Sequence, residues 1–194
     1  MGTLSLLAVI VIVSVTGFAR PALIQRSLLR PYLIARGSGY AGLLTSGFVH
    51  ADTTHLIFNL ITFYSFGLPL ERAIGTPQLV ILYFSGLLIS NLGTTLQHRN
   101  DPDYAALGAS GAILAVLFAA IVYFPHARLI MWPLPIPLPG PLWALLYLAY
   151  TWYSARQARG RINHDAHFFG ALTGILFVAL TEPWRLALLL NVAR

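Results

Sequence analysis

Six largely apolar segments divide the chain, and each is about long enough to cross a lipid bilayer as an α-helix. A membrane-spanning helix needs about 20 apolar residues, within a range of about 17–25. The segments lie at residues 3–19, 54–70, 77–96, 107–124, 138–155 and 166–182. Only 9% of the residues are charged and 57% are hydrophobic, which excludes an ordinary soluble domain. The sequence therefore predicts an all-α polytopic membrane protein, with one domain over residues 1–194 and six transmembrane helices.

The remaining composition narrows the chemistry. The chain contains no cysteine, which excludes a thiol nucleophile, a disulfide and a cysteine-ligated metal. Its net charge is +6, and all of its positive side-chain charge comes from twelve arginines, because the chain has no lysine. The arginines lie between the apolar segments, a pattern that favours anchoring at the membrane interface over nucleic-acid binding. Segment 20–52 mixes four arginines with aliphatic residues, so we expect it to lie partly in the interface.

Unusual polar residues stand at the starts of the even-numbered spans. They are His50, His55 and Asn59 at span two, Ser110 at span four, and His164 and His167 at span six. Even-numbered spans of an alternating bundle all begin at one membrane face, so we expect these groups at similar depth on one side. Ionisable groups inside a membrane are costly, and for that reason they are candidates for function.

Small residues near these groups favour close helix packing. Gly170 and Gly174 follow His167 at i+3 and i+7 and form a smooth stripe on its helix face. Span four carries its own small residues, which are Gly108, Gly111, Ala112, Ala115 and Ala119. If the two stripes meet, Ser110 and His167 come together.

Ser110 and His167 then have the properties of a catalytic dyad. A serine hydroxyl alone is a weak nucleophile, and a histidine within reach takes its proton. His55 and Asn59 lie at i and i+4 on one helix face and can donate hydrogen bonds to an oxyanion, where one donor is worth about 2.7–4 kcal/mol. Asp165 lies two residues before His167 and faces elsewhere on a helix, so the sequence favours a dyad over a triad.

Other interpretations of the same residues stay open. A serine between glycines is often a packing device, and an intramembrane histidine often hydrogen-bonds to a neighbouring helix. A metal enzyme or transporter is a further alternative, built from His50, His55, His164 and His167, although no H-E-x-x-H motif is present. We expect the loop residues Asp52, Asp101 and Asp103 to be solvated charges.

Four motifs together resemble the rhomboid family of intramembrane serine proteases, over about residues 47–181. SGFVHADTTHLIFN resembles the family's histidine–asparagine segment, and LERAIGT resembles its Glu-x-x-x-Gly-Ser/Thr connection. GASG is similar to the nucleophile motif G-x-S-G, and AHFFGALTG to the signature A-H-x-x-G-x-x-x-G. The Trp-Arg pair that family members often carry in the first loop is missing from segment 39–48, which leaves the packing of that loop open.

The resemblance implies a rhomboid-like bundle of six transmembrane helices with serine endopeptidase activity. Ser110 would be the nucleophile and His167 the general base, and His55, Asn59 and the backbone N–H of Ser110 would form the oxyanion hole. The implied substrates are single-span membrane proteins in the lipid bilayer. No metal, other cofactor or nucleic acid is implied. The expected location is a bacterial inner membrane.

Family analogy also bears on gating, orientation and activity. Span five is a candidate lateral gate, and its aromatic residues include Trp143, Tyr147, Tyr150 and Trp152.

The orientation in the membrane has two conflicting indications. Eight of the twelve arginines lie on the side of the candidate site, so the positive-inside rule places that side in the cytoplasm. The family topology places it outside, and we follow the family topology. A non-catalytic rhomboid-like binding protein or membrane chaperone is the alternative function. Inactive relatives typically lack one residue of the dyad, and this chain has both.

Overall fold

A computed structural model of the protein describes residues 1–131, 134–157 and 163–187. Nine α-helices, one 3₁₀ helix and the two strands of one β-hairpin lie wholly within these ranges, and residues 184–187 are also helical. The helices are α1 (Gly2–Ala19), α2 (Pro21–Ser27), α3 (Pro31–Ile34), α4 (Gly42–Thr45), α5 (Thr53–Ile74), α6 (Thr76–His98), α7 (Ser110–Tyr123), α8 (Gly140–Gln157) and α9 (His164–Thr181). The 3₁₀ helix is Ser46–Phe48, and the strands are β1 (Arg128–Met131) and β2 (Leu134–Pro139).

The long apolar helices make the chain an all-α polytopic membrane protein. Helices α1, α6 and α9 have the length and composition to cross a membrane, and α7 is a shorter apolar helix. Helices α5 and α8 lie on the other two predicted spans and contain 22 and 18 residues. The count of six spans stays a prediction, as does the single domain over residues 1–194, whose last seven residues lie outside the described ranges.

The proline-rich connection between α7 and α8 is an antiparallel β-hairpin. Arg128 pairs with Pro139, and Leu129 pairs with Leu138. Proline lacks the backbone N–H that a helix interior needs, which explains why this part of the connection is extended. The hairpin leads directly into the first residue of α8.

Helix α7 lies at the centre of the bundle, against α5, α6, α8 and α9. Every residue from Gly111 to Tyr123 is buried. At about 1.5 Å per residue the helix spans about 21 Å, which is shorter than the hydrocarbon core of about 30 Å. If α7 is the fourth of the six predicted spans, at least one of its ends lies within the depth of the membrane.

Glycines bring α7 and α9 into direct backbone contact. A Cβ on Gly170 would overlap the carbonyl oxygen of Gly111, and a Cβ on Gly174 would overlap that of Ala115. The small stripes of spans four and six thus meet. Gly111 also faces α6, because a Cβ there would overlap Oγ of Ser90. The absence of side chains at these positions sets the distance between the helices that carry the candidate dyad.

The packing role predicted for Gly108 is wrong. Gly108 lies in the loop before α7, outside the helix, and has a φ of 117°, which side chains disfavour. A Cβ at Gly108 would lie 2.6 Å from Cε1 of His55. This glycine therefore shapes the loop that presents Ser110 and leaves room for the His55 ring.

The segment between α1 and α5 is folded onto the bundle. Leu29 and Ala106 form an isolated β-bridge, with N–O distances of 2.9 and 3.0 Å, which ties this segment to the loop before α7. Asn91 of α6 donates from Nδ2 to the carbonyl oxygen of Leu43 at 2.8 Å and to Oγ of Ser46 at 3.0 Å. These contacts supply packing in the loop that lacks the Trp-Arg pair.

The Glu71 carboxylate holds the start of α1 at the far end of α5 from His55. It accepts the backbone N–H groups of Gly2 at 2.6 Å and Thr3 at 3.0 Å. It also accepts the hydroxyl of Thr76 at 2.6 Å. A negative charge at a helix N-terminus is favourable because the helix dipole is positive there.

Candidate active site

Ser110 and His167 form a hydrogen bond, with 2.8 Å between Oγ and Nε2. Ser110 is the first residue of α7, and His167 lies in the first turn of α9. The glycine contact between Gly170 and Gly111, next to both residues, brings the two helix starts together. The two side chains that the sequence singled out for a dyad are therefore adjacent in space.

The helix start surrounds Ser110 with groups that favour negative charge. The first four N–H groups of a helix have no partner within it, and the dipole is positive at this end. Among the described residues, the backbone N–H of Ser110 makes no hydrogen bond. The preceding loop is held in place because the N–H of Gly108 donates to the carbonyl oxygen of Ser46 at 2.8 Å. An oxyanion formed beside Ser110 would meet an available backbone donor.

Tyr147 of α8 occupies the other ring nitrogen of His167. Its Oη lies 3.0 Å from Nδ1, and the two ring planes are 22° apart. When Ser110 donates to Nε2, the neutral ring carries its own proton on Nδ1, and this N–H donates a hydrogen bond to the Tyr147 oxygen. From the sequence, Tyr147 is one of several aromatic residues of a candidate gate. This contact was not predicted, because a single tyrosine in an aromatic helix offers no signal for it.

His55 lies at the start of α5, beside the loop that leads to Ser110. A Cβ on Gly108 would lie 3.0 Å from Nε2 of His55, so the ring lies directly against that loop. Within the described residues, the His55 ring makes no hydrogen bond, which leaves its N–H for a ligand. Asp52 caps α5 by accepting the backbone N–H of His55 at 2.8 Å. Asp52 is exposed, as expected of a solvated charge, and capping is a further role that was not assigned to it from the sequence. An aspartate directly before an apolar helix is the signal that predicts a cap.

Asn59 is bonded to a histidine that lies before α5. Its Nδ2 lies 2.8 Å from Nε2 of His50, whose Nδ1 lies 2.9 Å from Oγ of Ser14. The Ser14 hydroxyl also lies 3.0 Å from the carbonyl oxygen of Phe48 and donates to it. Because an amide nitrogen only donates, His50 accepts at Nε2 and carries its proton on Nδ1. One N–H of Asn59 is thus used within the protein, and the second one is left for a ligand.

His50 is a neutral, structural histidine. Its side chain is fully buried between α1 and α5. Burial, reinforced by the nearby His55 and opposed by Asp52, lowers the pKa of His50 to about 3. The neutral ring is the form that its two hydrogen bonds require. His50 therefore fixes Asn59 in place and links it to α1.

The remaining polar residues hold the start of α9. Asn163 caps the helix by accepting the N–H of Ala166 at 2.9 Å. Asp165 bonds His98 of α6, with 2.8 Å between Oδ2 and Nε2, rather than His167. His164 is buried, and its ring centroid lies 6.1 Å from that of His167.

The histidines of the metal alternative are not arranged as a ligand set. In the part of the chain that the structure describes, no three His, Cys, Asp or Glu side chains are close enough to hold one ion. His50 and His167 each have both ring nitrogens bonded to other side chains. Neither ring can therefore bind a metal without losing one of these bonds.

Known proteins resemble this chain over most of its length. The Rhomboid domain family matches residues 37–183. The chain is 29% identical over 141 residues to Rhomboid protein 1, mitochondrial, of Saccharomyces cerevisiae, a match that covers 70% of the chain and 40% of that protein. It is 30% identical over 176 residues to Presenilin-associated rhomboid-like protein, mitochondrial, of Homo sapiens, covering 80% of the chain and 42% of that protein.

A bacterial relative is similar to a comparable degree. The Bacillus subtilis protein named "Putative rhomboid protease YdcA" is 32% identical over 137 residues, covering 69% of the chain and 63% of that protein. The chain thus spans 40 to 63% of the length of these three relatives.

Proposed function

This chain belongs to the rhomboid family, and we propose that it is an intramembrane serine endopeptidase that cleaves transmembrane segments of other membrane proteins. The observation that supports this most strongly is the 2.8 Å contact between Ser110 Oγ and His167 Nε2 at the start of a short, buried central helix. A hydroxyl bonded to a neutral imidazole is the minimum that acyl transfer by a serine requires.

The proposed reaction proceeds through an acyl-enzyme. Oγ of Ser110 attacks the carbonyl carbon of the scissile peptide while its proton passes to Nε2 of His167. The oxyanion accepts hydrogen bonds from the Ser110 backbone N–H, the His55 ring and the second N–H of Asn59, and the dipole of α7 stabilises its charge. The C–N bond then breaks, and His167 donates its proton to the leaving amine. Water hydrolyses the ester by the same steps in reverse order.

The substrate class follows from where the pair lies. A short central helix keeps at least one of its ends below the membrane surface, and the proposal puts Ser110 at such an end. Single-span membrane proteins within the bilayer are the substrates that reach such a site laterally, while water enters from one face. The chemistry uses serine, histidine and water, and it requires no metal or other cofactor.

The proposal places the enzyme in a membrane as a multi-pass protein without naming the membrane. The location expected from the sequence is a bacterial inner membrane. The relatives reported above include two mitochondrial proteins and one Bacillus subtilis protein, so they do not support that narrower location.

A cleavage assay tests the proposal. The purified full chain is reconstituted in liposomes with a tagged single-span protein, and product is followed for wild type, Ser110→Ala and Ser65→Ala. Ser65 is an exposed serine of α5 and serves as the matched control. We expect cleavage by wild type and Ser65→Ala, and at least a 1000-fold loss in Ser110→Ala.

Two results would count against the proposal. If Ser110→Ala cleaved the substrate at the wild-type rate, another group would be the nucleophile. A wild type that neither cleaves nor reacts with a fluorophosphonate would favour the non-catalytic binding protein instead.

A further inference from the structure

Helix α8 contributes one polar side chain to the candidate pair, and the mechanism above does not use it. We propose that the hydroxyl of Tyr147 is a positioning group that holds His167 in the tautomer and orientation in which its Nε2 accepts the proton of Ser110. The inference rests on the proposed function and adds a residue to it. Its basis is the 3.0 Å contact between Tyr147 Oη and His167 Nδ1.

The proton count explains why the contact matters. A neutral imidazole carries one proton, and only the form with that proton on Nδ1 leaves Nε2 free to accept from Ser110. A hydrogen-bond acceptor at Nδ1 favours this form. After the transfer the ring is an imidazolium, and Nδ1–H still donates to the Tyr147 oxygen. The bond therefore persists through the reaction and keeps the ring facing Ser110.

The position at Nδ1 is one that a carboxylate fills in a Ser–His–Asp triad. The carboxylate closest in sequence is that of Asp165, and it is bonded to His98 instead. Among the described residues, the Tyr147 hydroxyl is the group that bonds Nδ1 of His167. A neutral acceptor provides the orientation that a carboxylate provides, with weaker stabilisation of the imidazolium charge.

Aromatic packing fixes Tyr147 independently of His167. Its ring lies parallel to that of Trp143, with centroids 4.8 Å apart and an angle of 9°. Phe118 of α7 packs on the same pair, 5.9 Å from Tyr147 and 6.1 Å from Trp143. The phenol ring is therefore held by α7 and α8, and its hydroxyl stands at a set place. Removal of the hydroxyl alone should leave this packing unchanged.

The contact also makes the site depend on the position of α8. The buried residues of this helix are Gly140, Trp143 and Thr151, and the rest of its surface is partly or fully exposed. A displacement of α8 from α9 would separate Tyr147 from His167 without moving Ser110. The base is then correctly oriented only while α7, α8 and α9 are packed together.

The experiment compares Tyr147→Phe with wild type and with Tyr153→Phe, an exposed tyrosine on the same helix. For each purified full-length protein we would measure kcat and KM on a single-span substrate, the rate of fluorophosphonate labelling and the melting temperature. One neutral hydrogen bond corresponds to about a 10-fold effect. We expect kcat and the labelling rate of Tyr147→Phe to fall about 10-fold, with KM within about 2-fold of wild type. Tyr153→Phe should match wild type.

The outcomes separate this inference from the proposed function. Wild-type rates in Tyr147→Phe, or a raised KM with an unchanged kcat, would overturn the positioning role while the protease assignment stands. A wild type without cleavage or labelling would overturn the protease assignment itself.

Incorporation of 3-fluorotyrosine at position 147 covers the case in which Tyr147→Phe lowers the melting temperature. This residue keeps the ring and the hydroxyl but makes the oxygen a weaker acceptor. We expect a lower kcat at an unchanged melting temperature, and an unchanged kcat would again overturn the role.

Discussion

Two serine–histidine pairs lie in the part of the chain that the structure describes, and their hydrogen-bond lengths are nearly the same. Ser14 Oγ lies 2.9 Å from Nδ1 of His50, and Ser110 Oγ lies 2.8 Å from Nε2 of His167. A search by distance alone would return both pairs. We propose that only the second is catalytic, so other features must distinguish them.

The direction of the hydrogen bond is the first difference. His50 accepts from Asn59 at Nε2, so its proton lies on Nδ1 and is donated to Ser14. The hydroxyl of Ser14 donates its hydrogen bond to the carbonyl oxygen of Phe48. His50 therefore cannot take a proton from Ser14. In the other pair, we propose that the Tyr147 oxygen accepts from Nδ1–H of His167, which leaves Nε2 to accept from Ser110.

The surroundings of the two serines are the second difference. Ser14 lies in the interior of α1, is fully buried and has backbone groups that belong to the helix. Ser110 begins α7, where the backbone N–H groups have no helical partner and the dipole favours an anion. A pair becomes a candidate for catalysis when its histidine accepts and donors for an oxyanion stand beside its serine.

Matched histidine variants test this distinction with the largest expected effect. His167→Gln removes the proposed base, so we expect cleavage to fall by at least about 1000-fold. His50→Gln leaves Ser110 and His167 in place and removes the bonds of His50 to Asn59 and Ser14, so we expect a loss of no more than about 10-fold per folded molecule. Both variants are measured in the liposome cleavage assay after correction for the folded fraction. Equal losses of cleavage in the two variants would mean that His167 is no more a catalytic base than His50 is.

The pH dependence of stability gives a second, smaller test. The pKa of His50 is lowered to about 3 by burial, whereas an unfolded histidine has a pKa of about 6.5. Between these values the unfolded chain binds a proton that the folded chain does not. The contribution of His50 to the free energy of unfolding is therefore complete above about pH 6.5 and decreases as the pH falls toward 3. The loss reaches up to about 3 kcal/mol at pH 4.

His50→Gln is the control for this test. Melting temperatures of wild type and His50→Gln in detergent, at pH 7 and pH 4, measure the difference between the two proteins. We expect the wild type to lose more stability on acidification than His50→Gln does. The same loss in both proteins would show that His50 is not kept neutral by burial.

Much of the site could be predicted because its residues carry local patterns. Ser110 lies between two glycines, and Gly170 and Gly174 share the helix face of His167, so the spacing indicated that Ser110 and His167 come together if the two small stripes meet. Helix periodicity likewise separated Asp165 from His167, in agreement with the bond from Asp165 to His98.

What the sequence did not predict depends on residues far apart in the chain. Tyr147 reaches His167 from another helix, and Ser14 reaches His50 across 36 positions, so neither contact leaves a local pattern. Gly108 was assigned to the helix because its small size suits packing, but its positive φ belongs to the loop that precedes Ser110. The predicted span began at residue 107 and the helix begins at Ser110, because the apolar loop before it resembles a continuation of the helix.

Fluorophosphonate labelling of wild type, Ser110→Ala and Ser14→Ala tests the central claim most directly, because the reagent reports an activated serine without needing a substrate. Ser14→Ala leaves the Nδ1–H of His50 without its partner and should cost about 1–3 kcal/mol of stability, so labelling is scored per folded molecule. We predict that wild type and Ser14→Ala label at rates within about 3-fold of each other, and that Ser110→Ala does not label. Labelling that persists in Ser110→Ala, or that disappears in folded Ser14→Ala, would contradict the assignment of Ser110 as the nucleophile.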